Sequence, residues 1–343
     1  FGLDSSYAAN PYFDEYLKTK KPRQIIIALV DGMGAKLIER KLPQDGFFKK
    51  HLLFSTSTVF PTTTTAATTA IQNGRSPNEN GWIGWNQYFK EVDDFIVPFL
   101  GKGYYSKKDY GADYVYKKIP VSTTKDDLIA KGLKADEIYP AFRPNGAKDI
   151  EDFVAKIKAA SYGDDSYIYA YWGEYDSLMH KEGVDNKLSD DYLKRVQKAF
   201  AEGLKDLNKG TLIVIVADHG LVDIKEEINV YETPLNDYLL RPTCVEPRST
   251  VFYVKEGQKE AFAKTFKELY EDDFILLSKE EVLASHLLGD HENHPRLDDF
   301  IGDFMAIGKH NKHFVYNAEP ADFKFKGAHA GCHIDELLIP VIT

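Results

Sequence analysis

Three apolar runs in this chain each lead into an aspartate, and two of those aspartates have a histidine close by. Ile25-Ile26-Ile27-Ala28-Leu29-Val30 precedes Asp31, Tyr167-Ile168-Tyr169-Ala170-Tyr171-Trp172 comes shortly before Asp176, and Leu212-Ile213-Val214-Ile215-Val216-Ala217 precedes Asp218. His180 follows Asp176 by four positions, and His219 follows Asp218 directly. Carboxylate oxygens and imidazole nitrogens together suit hard or borderline divalent cations. Taken singly, each aspartate could be an ordinary turn residue or part of an exposed helix. Three of them at three strand ends point to a metal cluster, because ligands of open α/β sheets bind beyond the carboxyl ends of the parallel strands. The i,i+4 spacing of Asp176 and His180 lets both side chains face one site from a helical turn.

A further ligand is expected from Gly327-Ala328-His329-Ala330-Gly331, where small neighbours allow close backbone approach to an exposed ring. His333, four positions on, is the secondary candidate. Asp290-His291-Glu292-Asn293-His294 reads as a solvated loop, since no buried strand delivers it.

The elements that must carry these residues alternate strand and helix, which predicts a largely parallel sheet. Ser5 to Lys20 reads as an N-terminal helix, Ile25 to Val30 as a buried strand, and Ala35 to Arg40 as the start of a helix. Leu52 to Phe60 contains a strand, followed by a helix over Thr62 to Asn73 that Gly74 stops. Asp149 to Ala160 and Ser189 to Leu207 are amphipathic helices feeding the second and third aspartate strands. Gly81 to Tyr116, rich in aromatics and glycine with weak periodicity, reads as an elaborated loop or cap rather than core. Thr250 to Val254, Lys259 to Tyr270 and Phe274 to Leu277 form a β-α-β-like unit, and Glu336 to Ile342 a last strand.

The chain has 343 residues, 43% of them apolar and 13% aromatic, with a formal net charge of −10. That suffices for one large α/β domain over residues 1–343, carrying an aromatic cap-like insertion at 82–145 and an inserted subdomain at 241–317. No Lys/Arg cluster tracks a nucleic-acid backbone, so an anionic substrate needs bound cations to reverse the local field. No apolar stretch reaches the roughly 20 residues of a membrane span. The two cysteines, Cys244 and Cys332, form no metal-type pair. They fit a reduced cytoplasmic protein, with an exported protein whose signal peptide has been removed as the alternative.

Phe60-Pro61-Thr62-Thr63-Thr64-Thr65-Ala66-Ala67-Thr68-Thr69 joins a strand to a helix start. Hydroxyls there sit in the positive field of the helix, beside free backbone N–H groups that suit a phosphoryl oxygen. Metal coordination is one way to activate a threonine hydroxyl as a nucleophile, and simple helix capping is the competing reading. The chain lacks a Gly-x-Ser-x-Gly elbow, a Walker A loop and a Gly-x-Gly-x-x-Gly segment after a strand.

The ordered set Asp31-Gly32-Met33, Phe60-Pro61-Thr62-Thr63-Thr64, Asn73-Gly74-Arg75-Ser76-Pro77, Asp176-x-x-x-His180, Ala217-Asp218-His219-Gly220 and Gly327-Ala328-His329 resembles the alkaline phosphatase superfamily, in particular its type I phosphodiesterase/nucleotide pyrophosphatase branch. The resemblance extends from about Ile25 to Pro340. It implies a three-layer α/β sandwich with a mostly parallel central sheet flanked by helices and a small inserted α+β cap. It also implies two divalent metal ions, zinc with manganese as the alternative. One ion would be held by Asp176, His180 and His329, the other by Asp31, Asp218 and His219. The family nucleophile stands ten positions before the glycine that is Gly74 here, which selects Thr64, with Thr63 and Thr65 as fallbacks.

The implied activity is hydrolysis of phosphodiester or pyrophosphate bonds through a phospho-threonine intermediate. Its implied substrate is a small phosphate ester or nucleotide-like molecule. The alternatives on the same scaffold are a phosphomonoesterase, a phosphonate hydrolase, a phosphotransferase or mutase, and an inactive metal-binding protein. A sulfatase is disfavoured because no Cys-x-Pro-x-Arg segment is present. The chain departs from the family at Asn73, where a threonine is usual, and at Asn80, where a histidine is usual. The family's phosphoryl-contacting asparagine falls on Trp85 by simple counting, or on Asn86 after a one-residue shift.

Overall fold

The computed structural model describes residues 1–319 and 324–343. Its centre is a six-stranded sheet in the spatial order Leu52–Ser57, Leu338–Ile342, Thr211–Val216, Gln24–Val30, Tyr167–Trp172, Ala135–Ile138. Gln24–Val30 pairs in parallel with both aspartate-bearing neighbours, Ile25 lying opposite Tyr167 on one side and Leu212 on the other. The Leu338–Ile342 strand runs antiparallel to both of its neighbours.

Alternation along the central strand builds the layers, because successive side chains of a strand point to opposite faces. Ile26, Ala28 and Val30 join Leu37, Ile38, Phe153, Ile157, Val196 and Phe200 in one core. That core packs the helices Ala35–Lys41, Ile150–Ser161 and Lys187–Gly203 against one face. On the other face, Leu29 packs with Leu128 and Tyr169, and Ile25 with Leu212, Val214, Phe13 and Leu17. The result is a three-layer α/β sandwich with a mostly parallel sheet.

The N-terminal helix begins at Pro11 rather than Ser5. Asn10 is extended and its side chain accepts from the Tyr12 N–H, while proline is favoured in the first turn. The threonine helix spans Thr64–Asn73, because Thr63 keeps extended dihedrals (φ −139°, ψ 151°), and it ends at Gly74 in the left-handed conformation. A short helix, Ile334–Leu337, stands where the beginning of the last strand was expected.

The aromatic segment differs most from its expectation as a loop or cap. Gln87–Phe89, Asp94–Val97 and Lys102–Gly103 form a three-stranded sheet. Trp82, Ile83, Phe89, Phe95 and Ile96 are buried in a core shared with Val245, Val251, Phe300 and Met305. Aromatic packing supplied the order that weak periodicity concealed. Downstream, Cys244–Val245, Ser249–Phe252, Phe304–Gly308 and Phe274–Ser278 form a four-stranded antiparallel sheet, with Lys259–Tyr270 packed on it.

One buried ion pair ties that sheet to the C-terminal end of the chain. Arg248 Nε and Nη2 donate to the two oxygens of Glu336 at 2.7 and 2.8 Å, with both side chains fully buried. Arg248 also donates to the carbonyls of His310, Lys312 and Gly308. Glu336 accepts from the N–H groups of Gly331 and His333. Removing one partner of a buried pair strands the other charge. Glu336→Ala is therefore expected to lower unfolding stability by about 3–5 kcal/mol. Urea denaturation checks this, and a loss under about 1 kcal/mol would show the pair to be replaceable.

Candidate active site

Asp31 and Asp218 emerge side by side, because the strands that end before them are paired neighbours. The turn after Asp31 depends on Gly32, whose φ is +73° and whose added Cβ would meet Leu221 Cδ1 at 2.8 Å and Asp176 Cβ at 3.1 Å. Its N–H donates to Asp218 Oδ1 at 3.1 Å. Asp176 and His180 lie on the helix Glu174–Glu182. His329 follows a two-residue strand, Gly327–Ala328, that pairs with Val222–Asp223 just beyond His219.

These six residues gather into two groups, Asp31 with Asp218 and His219, and Asp176 with His180 and His329. In each group the potential ligand atoms lie within 4.8 Å of one another. His219 Nε2 is 3.4 Å from Asp31 Oδ1 and 3.5 Å from Asp218 Oδ2. His180 Nε2 is 3.3 Å from Asp176 Oδ2, and His329 Nε2 is 4.0 Å from Asp176 Oδ1. The His219 and His329 rings stack at 3.9 Å, so the two groups adjoin.

The polar atoms of this cluster fit divalent cations. All three histidines turn Nδ1 to a backbone carbonyl: His180 to Gly327 at 2.7 Å, His219 to Gly220 at 3.1 Å, His329 to Thr62 at 3.1 Å. A carbonyl cannot donate, so Nδ1 carries the proton and Nε2 presents a lone pair in the neutral ring. A ring whose outer N–H is held by a carbonyl in this way is the usual arrangement of metal-binding histidines. The Nε2 atoms face carboxylate oxygens, acceptor against acceptor. Asp31 Oδ1, Asp176 Oδ1 and Asp218 Oδ2 are buried without any hydrogen-bond partner among the described residues. Buried polar atoms are rarely left so, and cations between them would satisfy both sets.

The electrostatics agree. Burial, then the charges of Asp218 and Asp176, push the Asp31 carboxyl well above the usual carboxylate range. Burial likewise raises Asp218 despite the opposing pull of His219. Burial opposes ionisation of Asp176, yet His180 and then His329 draw it below its ordinary value. Burial, then the neighbouring His219, depresses His329 well below an ordinary histidine.

Thr64 stands beside the first group, its Oγ1 3.2 Å from His219 Nε2 and 3.4 Å from Asp31 Oδ2. From Pro61 to Thr69 it is the one residue that is not buried. The other hydroxyls are engaged or enclosed. Thr62 donates to Gly331 O, Thr63 to Glu246 Oε1 and Thr68 to Thr64 O, while Thr65 Oγ1 is buried.

A cavity of about 570 Å³ opens from Thr64, with Trp82, Trp85, Tyr139, Tyr171 and Arg143 among its walls. Trp85 presents a half-exposed indole to it. Asn86 is buried, and its backbone bridges to Val245. Tyr88 and Phe89 lie in the aromatic core. His333 caps the Ile334–Leu337 helix, and His291 stacks edge-on against Tyr7.

Two residues beside the site had no sequence motif. Tyr171 donates its hydroxyl to Asp31 Oδ2. It stands opposite Leu29 in the parallel pair, so pairing the two strands in register would have placed it near Asp31. Glu246 accepts from Thr63 Oγ1 at 2.5 Å and from the Trp85 N–H at 2.8 Å, and burial raises its carboxyl to about 7. A lone glutamate before a proline carries no comparable signal.

No curated protein matches this chain by sequence. The structure is similar to murine ectonucleotide pyrophosphatase/phosphodiesterase 5, with a TM-score of 0.70, 15% identity, and coverage of 93% of this chain and 87% of that one. An inactive threonine-to-alanine variant of the murine protein, in complex with AMP, superposes with a TM-score of 0.69. Phosphonoacetate hydrolase from Sinorhizobium meliloti 1021, in complex with phosphonoformate, gives 0.69 at 15% identity, covering 94% of this chain and 90% of that one.

In the metal-free protein, the raised carboxyls of Asp31 and Asp218 hold more protons in the folded than in the unfolded state. Folding stability should then fall as pH rises above about 4, each unit of elevation being worth about 1.4 kcal/mol. Metal-free Asp31→Asn should therefore melt higher than metal-free wild type at pH 8, with the gap closing toward pH 4. Calorimetric melting after chelation tests this, and a wild type at least as stable at pH 8 would refute it.

The pattern of the type I phosphodiesterase/nucleotide pyrophosphatase family matches residues 92–331, a stretch that carries Asp176, His180, Asp218, His219 and His329 and follows Asp31 and Thr64. The chain belongs to that family of metal-dependent phosphoric ester hydrolases.

Proposed function

We propose that the protein hydrolyses a phosphodiester or pyrophosphate bond with Thr64 as the nucleophile. The observation that carries this reading is the one accessible threonine hydroxyl of the helix start, set against Asp31 and His219 beside two carboxylate–imidazole groups. The inactive threonine-to-alanine variant of the murine relative supports a threonine in this role.

Divalent ions held by Asp31, Asp218 and His219 and by Asp176, His180 and His329 would supply Lewis-acid charge to the attacking and leaving oxygens. Zinc suits this mixed Asp/His donor set, with manganese the alternative. Thr64 Oγ1 attacks phosphorus in line as the bond to the leaving alcohol breaks, and a phospho-threonine forms. Water then attacks the same phosphorus, the bond to Thr64 Oγ1 breaks with the hydroxyl restored by a proton from that water, and the remaining phosphate monoester is released. The first N–H groups of the Thr64–Asn73 helix have no intrahelical partner, so they are donors for a nonbridging oxygen.

The cavity bears on the substrate class. Its aromatic walls and single Arg143 suit a bulky, flat alcohol portion better than a small dianion. This favours a diester or nucleotide-like substrate, in keeping with the AMP bound by the murine variant. Phosphonoacetate, the substrate named for the bacterial relative, would leave most of that volume unfilled.

Thr64→Ala should lower turnover of bis(p-nitrophenyl) phosphate by at least about 10³-fold while metal content stays unchanged. Wild-type-like turnover would sink the assignment. Asp218→Asn should lose metal and activity together, read by elemental analysis beside the assay. Full metal occupancy would remove Asp218 from the ligand set. Hydrolysis of p-nitrophenyl phosphate exceeding that of the diester by orders of magnitude would transfer the reading to a monoesterase.

A further inference from the structure

Thr63 occupies the N-cap position of the helix that begins at Thr64. Its residue type and its extended dihedrals are those of a good cap. Its hydroxyl nevertheless makes no capping hydrogen bond. The side chains of Asn10, Thr123, Asp149, Asn186 and Ser278 each accept from the first turn of their helices, whereas Asp113, like Thr63, makes no such bond and pairs with Lys117 instead. The Thr63 hydroxyl is instead drawn to Glu246 Oε1 at 2.5 Å.

Glu246 comes from a distant part of the chain, the turn between Cys244–Val245 and Ser249–Phe252. That turn is held firmly. Arg248 two residues on is buried against Glu336, and Thr250 Oγ1 donates to the Glu246 carbonyl. Val245, just before Glu246, sits at φ +76°. A β-branched residue seldom takes that conformation, which persists only where the surroundings hold it. The same Oε1 also accepts the Trp85 N–H at 2.8 Å, fixing the residue whose indole borders the cavity.

We infer that Glu246 is a positioning residue that keeps the Thr63 hydroxyl off the Thr64–Asn73 helix, leaving the helix N–H groups free for the phosphoryl group. A threonine released from this tether would rotate and cap the helix. Capping satisfies the same N–H groups that the reaction uses, so helix stability and phosphoryl binding compete for one set of donors. Glu246 decides the competition in favour of the substrate. The inference rests on the reading of Thr64 as nucleophile, and it adds a residue that acts through Thr63 without touching the reacting atoms.

The test is a mutant cycle assayed on bis(p-nitrophenyl) phosphate with the metal-loaded enzyme. Glu246→Ala should lower kcat/KM by about 10²- to 10³-fold, the scale of losing one oxyanion donor. Glu246→Gln keeps an Oε1 acceptor for both bonds and should stay within a few-fold of wild type. Removing the Thr63 hydroxyl as well, in Glu246→Ala/Thr63→Ala, should restore at least about tenfold of the loss. A purely structural role for Glu246 predicts that the double variant is no better than the single. Binding of inorganic phosphate, measured by calorimetry, should weaken and recover in the same order.

Should Glu246→Ala not fold, Thr63→Asn decides. Its amide can donate to Glu246 while its carbonyl caps the helix, so it should be at least about tenfold slower than Thr63→Ala. A double variant without recovery, a Gln variant as poor as the Ala variant, or equal rates for Thr63→Asn and Thr63→Ala would each overturn the inference. Thr64→Ala is measured alongside. If it retains turnover, the nucleophile reading falls and the inference with it. If it is inactive while Glu246→Ala matches wild type, the inference alone falls.

Discussion

The convergence of three buried carboxylates is the constraint on which this structure depends. Asp31, Asp176 and Asp218 meet at the carboxyl ends of paired strands, each with an oxygen that no donor among the described residues satisfies. Such a cluster is unfavourable by itself, since burial and like charge both oppose ionisation. The fold nevertheless holds it in place from elements far apart in sequence. Divalent ions bound there would turn this liability into the binding energy of a metal centre.

The histidines show how thoroughly the surroundings are arranged for that purpose. Each ring is oriented by a backbone carbonyl at Nδ1, and those carbonyls belong to Gly327, Gly220 and Thr62. The threonine segment therefore orients His329 through Thr62 O, while the loop of His329 receives the Thr62 hydroxyl at Gly331 O. The Arg248–Glu336 pair anchors the same loop by holding the Gly331 N–H. The threonine segment, the histidines and the downstream antiparallel sheet are thus joined through a few buried hydrogen bonds. A polar network of this kind is rigid when every member is satisfied.

The aromatic segment and the downstream sheet have a different task. They share one core, and the Trp85 N–H of the one donates to Glu246 of the other. The cavity that the aromatic segment lines in part is largely apolar, whereas the carboxylate–histidine cluster beside it is strongly polar. In the proposed reaction, binding energy from a flat apolar group would be gathered there and used at the bound phosphorus.

Much of the site could be read from local patterns. Strands that end in aspartate, the i,i+4 pair of Asp176 and His180, and a histidine between small residues are short-range signals with direct physical causes. They named all six members of the two groups, and family order selected Thr64 within the threonine run. The positions of Trp85 and Asn86 were harder, because counting along an irregular segment does not say which side chain faces the cavity. The order within the aromatic segment was hidden as well, since its strands are short and its packing partners lie more than a hundred residues away.

Tyr171 and Glu246 mark the boundary between the two kinds of information. Tyr171 became a partner of Asp31 only through the register of two parallel strands. Glu246 became a partner of Thr63 only when a strained turn near residue 245 docked against the helix start. The sequence by itself determined which chemistry was available, because ligand type and local spacing are properties of neighbouring residues. Only the tertiary structure decided which hydroxyl stays accessible, how the start of its helix is left uncapped and what cavity opens beside it, because those depend on contacts between segments that the chain keeps far apart.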